Sequence, residues 1–303
     1  PYRPGARHFV RKEHCDAVAY APWPRFDPLP GAFGRHRRLL ANLRDVAAVA
    51  GPCETLLIHS PVFDTEAINY FLRGLPKLCG ATSVHARILP DGLMNVARHP
   101  LNAAKRAAQY LRKLRRLVSP QLDYWCFSGD RIGSEAPFVD RIYTLAGFPH
   151  DYPPEKVVSL PPLASEESGA TGEAALIVGQ PLVGIGALTQ ADHDAICAQM
   201  ADWLKARGIK RVMYKAHPRD HAHEMRTPGA DLLEITEPLE SHMAAHPYQA
   251  VIGVNSTALY LARQIYGPEV PVVSFGNDKV HFKNPEQRET AIRLMDSLGI
   301  ERL

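Results

Sequence analysis

Short strand-like runs alternate with longer helical patterns along most of this sequence, and that alternation restricts the fold more than any other feature. In the second half, the strand candidates Ala174–Val178 and Ala250–Val254 are each followed by a polar loop and then by apolar residues at helical spacing, and Arg211–Lys215 is a further strand candidate that ends in a polar loop. Strands that alternate with helices of this length form mostly parallel sheets that are covered on both faces. The sequence therefore predicts an α/β protein.

The first half shows the same alternation less regularly. Strands are predicted at Thr55–His59 and Thr82–Leu89, and Tyr124–Phe127 is a further apolar run. Between the last two of these segments lies Asn95–Leu117, a long helical pattern that is rich in Lys and Arg. We therefore expect a second α/β domain that carries one basic helix.

A change in composition between the two halves predicts a domain boundary. Five prolines and a polar run, Ser165–Gly172, flank one short strand candidate at Lys156–Leu160. Polar segments of this kind are typical of interdomain linkers, and two α/β halves joined by a linker predict a cleft between them. The predicted boundaries are an N-terminal domain over residues 1–155, a linker over 156–172 and a C-terminal domain over 173–303.

Composition restricts the class of protein further. Among 303 residues, 35 Lys or Arg are nearly balanced by 32 Asp or Glu, which argues against a dedicated nucleic-acid-binding protein. No apolar run reaches the roughly 18 residues of a membrane-spanning helix, and no secretory signal pattern opens the sequence. The five cysteines are scattered without a CxxC motif, as is typical of reduced thiols. We therefore expect a cytoplasmic protein.

Polar residues follow several predicted strands, at the edge where open parallel sheets bind their ligands. Lys215, His217 and Arg219 bring two cations and an imidazole to one strand end, where a phosphate would need them, although a structural histidine fits equally well. Ser256 and Thr257 open a helix after another strand. Capping and phosphate binding are compatible there, because amides, hydroxyls and the positive end of the helix dipole meet.

Other motifs in the second half give no support for a metal or a dinucleotide. The glycines of Gly179–Gly186 fail the GxGxxG spacing and lack the Lys-Ser/Thr pair of a P-loop, which leaves a tight loop that approaches a ligand. Asp192 and Asp194 lie in a predicted helical turn, where residues two apart point in different directions. The HxxxHxH spacing from His217 to His223 matches no usual zinc site. We therefore predict neither a metal nor a cofactor.

Four motifs in a fixed order resemble a known group of enzymes. They are Leu176–Leu182 (LIVGQPL), Tyr214–Arg219 (YKAHPR), Glu237–Glu240 (EPLE) and Val251–Leu259 (VIGVNSTAL). Together they resemble the bacterial sialyltransferase and polysialyltransferase group, glycosyltransferase families 52 and 38. In the first half only Pro90-Asp91-Gly92 is similar, and Pro90 stands where the group's motif has its first acidic residue.

The resemblance implies a GT-B architecture, in which two Rossmann-like domains with mostly parallel sheets face a central cleft. The N-terminal domain would be the acceptor side, and the C-terminal domain would bind a CMP-activated donor. The implied reaction is the inverting, metal-independent transfer of sialic acid, or a related nonulosonic acid, to a bacterial surface glycan such as lipooligosaccharide, O-antigen or capsule. Hydrogen-bond donors can stabilise a leaving monophosphate without a metal, which agrees with this reaction.

The resemblance also implies roles for individual residues. Asp91 would be the general base, and His217 would contact the donor phosphate. The predicted substrate-binding residues are Gly179, Gln180, Lys215, Pro218, Arg219, Glu237, Glu240, Asn255, Ser256 and Thr257.

The basic helix allows three interpretations: a solvated face, a contact for an acidic acceptor chain, or a peripheral contact with the inner membrane surface. The residues predicted to make either contact are Arg106, Arg112, Lys113 and Arg116. Two other functions remain open for the whole chain. One is a GT-B enzyme, a transferase or an epimerase, that uses a nucleotide diphosphate sugar, and the other is a non-catalytic protein that binds acidic glycans.

Overall fold

A computed structural model of the chain describes residues 15–90, 96, 100–161, 172–282 and 285–303. The chain divides into two compact units. Unit 1 contains the described residues up to Thr144 together with His150–Leu160, and unit 2 contains Leu145–Pro149 and the described residues from Pro161 to Leu303. None of the helices in these ranges has both the length and the apolar character needed to cross a bilayer.

Unit 1 is a small α/β unit. Its helices are α1 (Gly34–Ala50), α2 (Glu66–Asn69), α3 (Phe71–Cys79) and α4 (Ala103–Lys113), and a 3₁₀ turn at Leu114–Leu117 continues α4. Its strands are β1 (Thr55–Ser60), β2 (Ser83–Ile88), β3 (Val139–Leu145) and β4 (Val157–Leu160), in the sheet order β1-β2-β3-β4. The β1–β2 and β2–β3 pairs are parallel.

One prediction for unit 1 is wrong in detail. The basic helix begins at Ala103 rather than near Asn95, because Asn102 caps it by accepting the backbone N–H of Lys105 at 2.9 Å. The apolar run from Tyr124 to Phe127 forms no strand. Side chains satisfy its backbone instead of a neighbouring strand, since the N–H groups of residues 125 and 127 donate to the side chains of residues 69 and 109.

Unit 2 is a larger α/β unit. Its strands are β5 (Ala174–Val178), β6 (Arg211–Lys215), β7 (Asp231–Leu232), β8 (Ala250–Gly253), β9 (Val272–Ser274) and β10 (Glu301–Arg302). Its helices are α5 (Gln190–Ala206), α6 (Leu239–Ala245), α7 (Thr257–Tyr266) and α8 (Pro285–Ser297). Every residue of β5 is buried, as expected for a central strand with both faces covered.

The six strands of unit 2 run in the order β10-β9-β8-β5-β6-β7, and all their pairs are parallel. Numbered from β5, this is the doubly wound order 3-2-1-4-5-6. The predicted α/β class with parallel, Rossmann-like sheets is therefore confirmed. The strand order reverses between β5 and β8, so the carboxyl ends of these two strands mark the expected ligand position.

The chain connects the two units by more than the single linker that the sequence predicted. Residues 157–160, inside the predicted linker, form β4 of the first sheet. Leu145–Pro149, inside the predicted first domain, belongs to unit 2, where Phe148 packs edge-on against Tyr260 with ring centroids 6.1 Å apart. The carbonyl of Ala146 also accepts a hydrogen bond from the Gln264 side chain. The chain therefore passes between the units three times, after residues 144, 149 and 160.

Candidate functional site

The loops that follow β5 and β8 are hydrogen-bonded to each other where the strand order reverses. The Gln180 side chain donates through Nε2 to the Asn255 carbonyl at 3.0 Å and accepts the Asn255 backbone N–H through Oε1 at 2.9 Å. Both ends of the Gln180 amide are therefore used to hold the two loops together. Asn255 is positioned through its backbone, and its side chain is half-buried.

The loop after β6 meets the same edge of the sheet. The Gly179 N–H donates to the Lys215 carbonyl at 2.9 Å. A Cβ atom on Gly179 would lie 2.2 Å from the Tyr214 hydroxyl, so only glycine fits at this position. The Tyr214 ring is fully buried, and its hydroxyl donates to the Asp220 carboxylate. Burial, together with this bond to a carboxylate, raises the pKa of Tyr214, so the hydroxyl keeps its proton.

His217 is held in one tautomer by its own loop. Its Nδ1 accepts the backbone N–H of Arg219 at 3.1 Å, and the Asp220 N–H donates to the His217 carbonyl at 2.8 Å. A neutral imidazole whose Nδ1 accepts a hydrogen bond carries its proton on Nε2. The half-buried ring therefore carries its N–H on Nε2. Pro218 and Arg219 are exposed in the same turn, and Lys215 is half-buried at the end of β6.

Helix α7 begins at this edge. Ser256 is its N-cap, and the Ser256 hydroxyl accepts the backbone N–H of Ala258 at 3.3 Å. Thr257 is the first residue of the helix and is exposed. Backbone amides and the positive end of the helix dipole favour an anion at such a terminus. The Gln180 bonds tie this terminus to the loop after β5.

A carboxylate network that sequence reasoning missed connects the loops after β5 and β6. Glu224 accepts the backbone N–H groups of Val183 at 2.9 Å and Gly184 at 3.0 Å. The Glu224 N–H in turn donates to Asp220, the buried partner of Tyr214. The amides of residues 183 and 184 in the glycine-containing loop are therefore paired inside the protein. In the sequence, the signal for this network is the pair of Asp220 and Glu224, four positions apart and just after the HP dipeptide.

Glu237 belongs to a cluster with two histidines. Glu237 is paired with Nδ1 of the buried His242 at 2.9 Å, and this bond lowers the pKa of Glu237. His242 Nε2 lies 3.0 Å from the Tyr248 hydroxyl, and the His246 ring stacks on the His242 ring with centroids 4.1 Å apart. One ligand atom each from residues 237, 242 and 246 lies within 4.8 Å of the others, so this group could hold a cation. Glu240 is half-buried in the first turn of α6.

The residues that the sequence predicted for the acceptor side are Asp91 and four cations of the basic helix. Asp91 lies outside the described residues, three positions after the end of β2. On the basic helix, Arg106 donates to the carbonyl of residue 128 at 3.1 Å, and Arg112 donates to the Tyr124 hydroxyl at 3.0 Å. Arg116 lies 3.9 Å from the Asp123 carboxylate, and Lys113 is half-buried.

Residues 132–273 match the family model described as Alpha-2,8-polysialyltransferase (POLYST). The match confirms the predicted resemblance to the polysialyltransferase group, and it supports a glycosyltransferase. All four motifs of the second half lie within the matched residues, whereas Asp91 does not. No curated protein sequence shows a significant match to the chain.

Among solved structures, the chain is similar to a UDP-GlcNAc 2-epimerase from Methanocaldococcus jannaschii and to the glycosyltransferase SnogD from Streptomyces nogalater. The epimerase is 10% identical, with a TM-score of 0.42, and the alignment covers 88% of this chain and 76% of the epimerase. SnogD is 14% identical, with a TM-score of 0.36, and the alignment covers 88% of this chain and 73% of SnogD. Such TM-scores mark a distant likeness that assigns no activity or ligand to this chain.

Proposed function

We propose that the protein is an inverting, metal-independent glycosyltransferase that moves sialic acid, or a related nonulosonic acid, from a CMP-activated donor to a hydroxyl group of a bacterial surface glycan. One observation carries the proposal. The loop of His217 and the N-terminus of α7 are both bonded, through Gly179 and Gln180, to the loop after β5 at the reversal of strand order. The family match covers the same residues.

The chemistry at this edge suits a departing nucleoside monophosphate. As the bond between the sugar's anomeric carbon and the phosphate oxygen breaks, negative charge grows on the phosphate. The Nε2–H of His217, the hydroxyls of Ser256 and Thr257 and the amides of α7 can donate hydrogen bonds to that charge. The ammonium group of Lys215 adds a positive charge at the same strand end. Donors of this kind stabilise a monophosphate in the transition state.

The second half of the reaction requires a base. The acceptor hydroxyl attacks the anomeric carbon from the side opposite the phosphate, which inverts the configuration, and the hydroxyl proton passes to a carboxylate. We assign this role to Asp91, in the motif similar to that of the sialyltransferase group. A general base at such a position contributes about 10²–10⁴-fold to the rate.

The test is transfer from CMP-sialic acid in the presence of EDTA, with His217→Ala as the critical variant. We expect transfer or slow donor hydrolysis by the native protein and a loss of at least about 10²-fold in the variant, as for removal of an oxyanion donor. His221→Ala, which removes an exposed histidine from the same segment, is the matched control. Near-normal turnover in His217→Ala would remove this residue from the mechanism, and inertness toward every CMP-sugar would refute the donor assignment.

Thermal shifts with CMP and UDP separate the donor classes, because the tighter ligand raises the unfolding temperature more. A larger shift with CMP supports the proposal. A larger shift with UDP would favour a GT-B enzyme that uses a nucleotide diphosphate sugar. Binding of acidic glycan without shift or turnover would favour a non-catalytic binding protein.

A further inference from the structure

Helix α4 and its 3₁₀ turn carry large apolar side chains on the outside of the protein. These side chains are 56–80% exposed, and we call them the apolar stripe: Tyr110, Leu111, Leu114, Leu117 and Val118. Tyr110, Leu111 and Leu114 recur at helical spacing, Leu117 lies one turn of the 3₁₀ segment after Leu114, and Val118 follows directly, so the five side chains are grouped on one side of this segment. Five large apolar groups within nine residues form a continuous patch rather than isolated surface residues.

The opposite face of the same helix is polar and packs on unit 1. Gln109 is 1% exposed, and its side chain accepts the backbone N–H of Phe127 at 2.6 Å. Arg112 donates to the Tyr124 hydroxyl, and Arg115 donates to the Tyr70 hydroxyl at 3.1 Å. A surface helix normally turns its apolar face to the core and its polar face to water. Here the orientation is reversed, so hydrogen bonds hold the helix while its apolar face points away from the protein.

Cations accompany the apolar stripe. Lys105, Arg106 and Arg116 are exposed, and Lys113 is half-buried. An acidic polysaccharide could pair with the cations, but it would leave the exposed leucines and valine in water. A bilayer with anionic lipids matches both features, because its acyl boundary accepts apolar side chains and its headgroups attract Lys and Arg. The charge pattern alone left these two partners open, and the exposed stripe favours the bilayer.

We propose that the apolar stripe inserts into the surface of an anionic lipid bilayer, with Arg106, Lys113 and Arg116 at the level of the headgroups. The apolar stripe belongs to unit 1, whereas the residues assigned to the donor belong to unit 2, so the proposal does not depend on the reaction assigned above.

The test is flotation of the full-length protein with vesicles of phosphatidylcholine that do or do not contain about 30 mol% phosphatidylglycerol. We expect binding to the anionic vesicles only, and a loss of at least about tenfold in Leu117→Gln/Val118→Gln. The matched control is Phe26→Gln/Val49→Gln, which removes two exposed apolar side chains elsewhere in unit 1. Because all four side chains are exposed, neither pair is expected to impair folding.

A further measurement distinguishes insertion from other contacts. The fluorescence of the tryptophan introduced by Tyr110→Trp should be quenched by lipids brominated on their acyl chains, above the background of the native tryptophans, whereas that of Phe26→Trp should not.

Three results would overturn the proposal. One is vesicle binding that Lys113→Gln/Arg116→Gln abolishes and that Leu117→Gln/Val118→Gln, the stripe variant, leaves unchanged. The others are a native dimer that the stripe variant makes monomeric without any vesicle binding, and binding of soluble polysialic acid in place of vesicles.

Discussion

Gln180 joins two strand ends through a single side chain. Its Nε2 donates to, and its Oε1 accepts from, the backbone of Asn255. A glutamate has nearly the same shape, but it would place an oxygen against the Asn255 carbonyl and lose the donated bond. The amide chemistry at this position therefore matters more than the length of the side chain.

We predict that Gln180→Glu lowers the free energy of unfolding by about 1–3 kcal/mol, because one hydrogen bond is lost and a carbonyl is left facing a carboxylate. Urea unfolding measures the change. The control is Gln199→Glu, which makes the same substitution at an exposed position of α5 and should stay within about 0.5 kcal/mol of the native protein. Equal losses in both variants would show that the bond to Asn255 is not the cause.

Residue-level predictions from the sequence succeeded where one local pattern carries the information. A serine after an apolar strand, opening a helical pattern, predicts an N-cap, and Ser256 is one. The pairing of Glu224 with Val183 and Gly184 joins positions about 40 apart, and no local pattern predicts it. No local pattern predicts the bonds between the Gln180 amide and Asn255 either. The sequence analysis assigned Gln180 to substrate binding instead.

At the scale of elements, the strands of unit 2 were predicted better than those of unit 1. A central parallel strand is buried on both faces, so β5 and β8 appear as continuous apolar runs. Strand β3 was missed because it carries charge: Asp140 on β3 pairs with Arg87 on the neighbouring strand β2 at 3.2 Å. Such a pair stabilises the sheet only after the strands have met, and the sequence of either strand alone does not show it.

The polar face of α4 packs over Asp64, which is 8% exposed. Asp64 accepts the Tyr124 hydroxyl at 2.9 Å, and Arg112 lies 3.9 Å away. Burial nevertheless raises the pKa of Asp64 above its usual range. The folded protein therefore holds this proton more tightly than the unfolded chain does. The contribution of Asp64 to stability is then greatest below the unfolded pKa and falls as the pH rises through the folded pKa.

We predict that Asp64→Asn removes this pH dependence, because asparagine still accepts the tyrosine hydroxyl but has no proton to lose. Urea unfolding from about pH 4, near the usual pKa of an aspartate, to pH 7 should show the native protein losing stability relative to the variant as the pH rises. Asp45→Asn, at an exposed carboxylate on α1, is the control. Parallel pH profiles for native protein and Asp64→Asn would contradict the prediction.

At the scale of the whole molecule, the groups assigned to the donor belong to one unit. The loops after β5 and β6 and the N-terminus of α7 all lie in unit 2, and the hydrogen bonds that connect them stay within it. Asp91 belongs to the other part of the chain and lies outside the residues that match the family model. Donor binding and proton removal should therefore respond to different substitutions.

Asp91→Asn tests this separation. If Asp91 only removes the acceptor proton, the variant should lose about 10²–10⁴-fold in transfer while the thermal shift with CMP stays at the native value. His217→Ala should instead reduce both transfer and the shift with CMP, because His217 is proposed to touch the phosphate in the bound and departing states alike. Asp151→Asn, at an exposed carboxylate of unit 1, should change neither quantity. A reduced CMP shift in Asp91→Asn would mean that Asp91 supports donor binding, and the base would then have to be sought among the other carboxylates of unit 1.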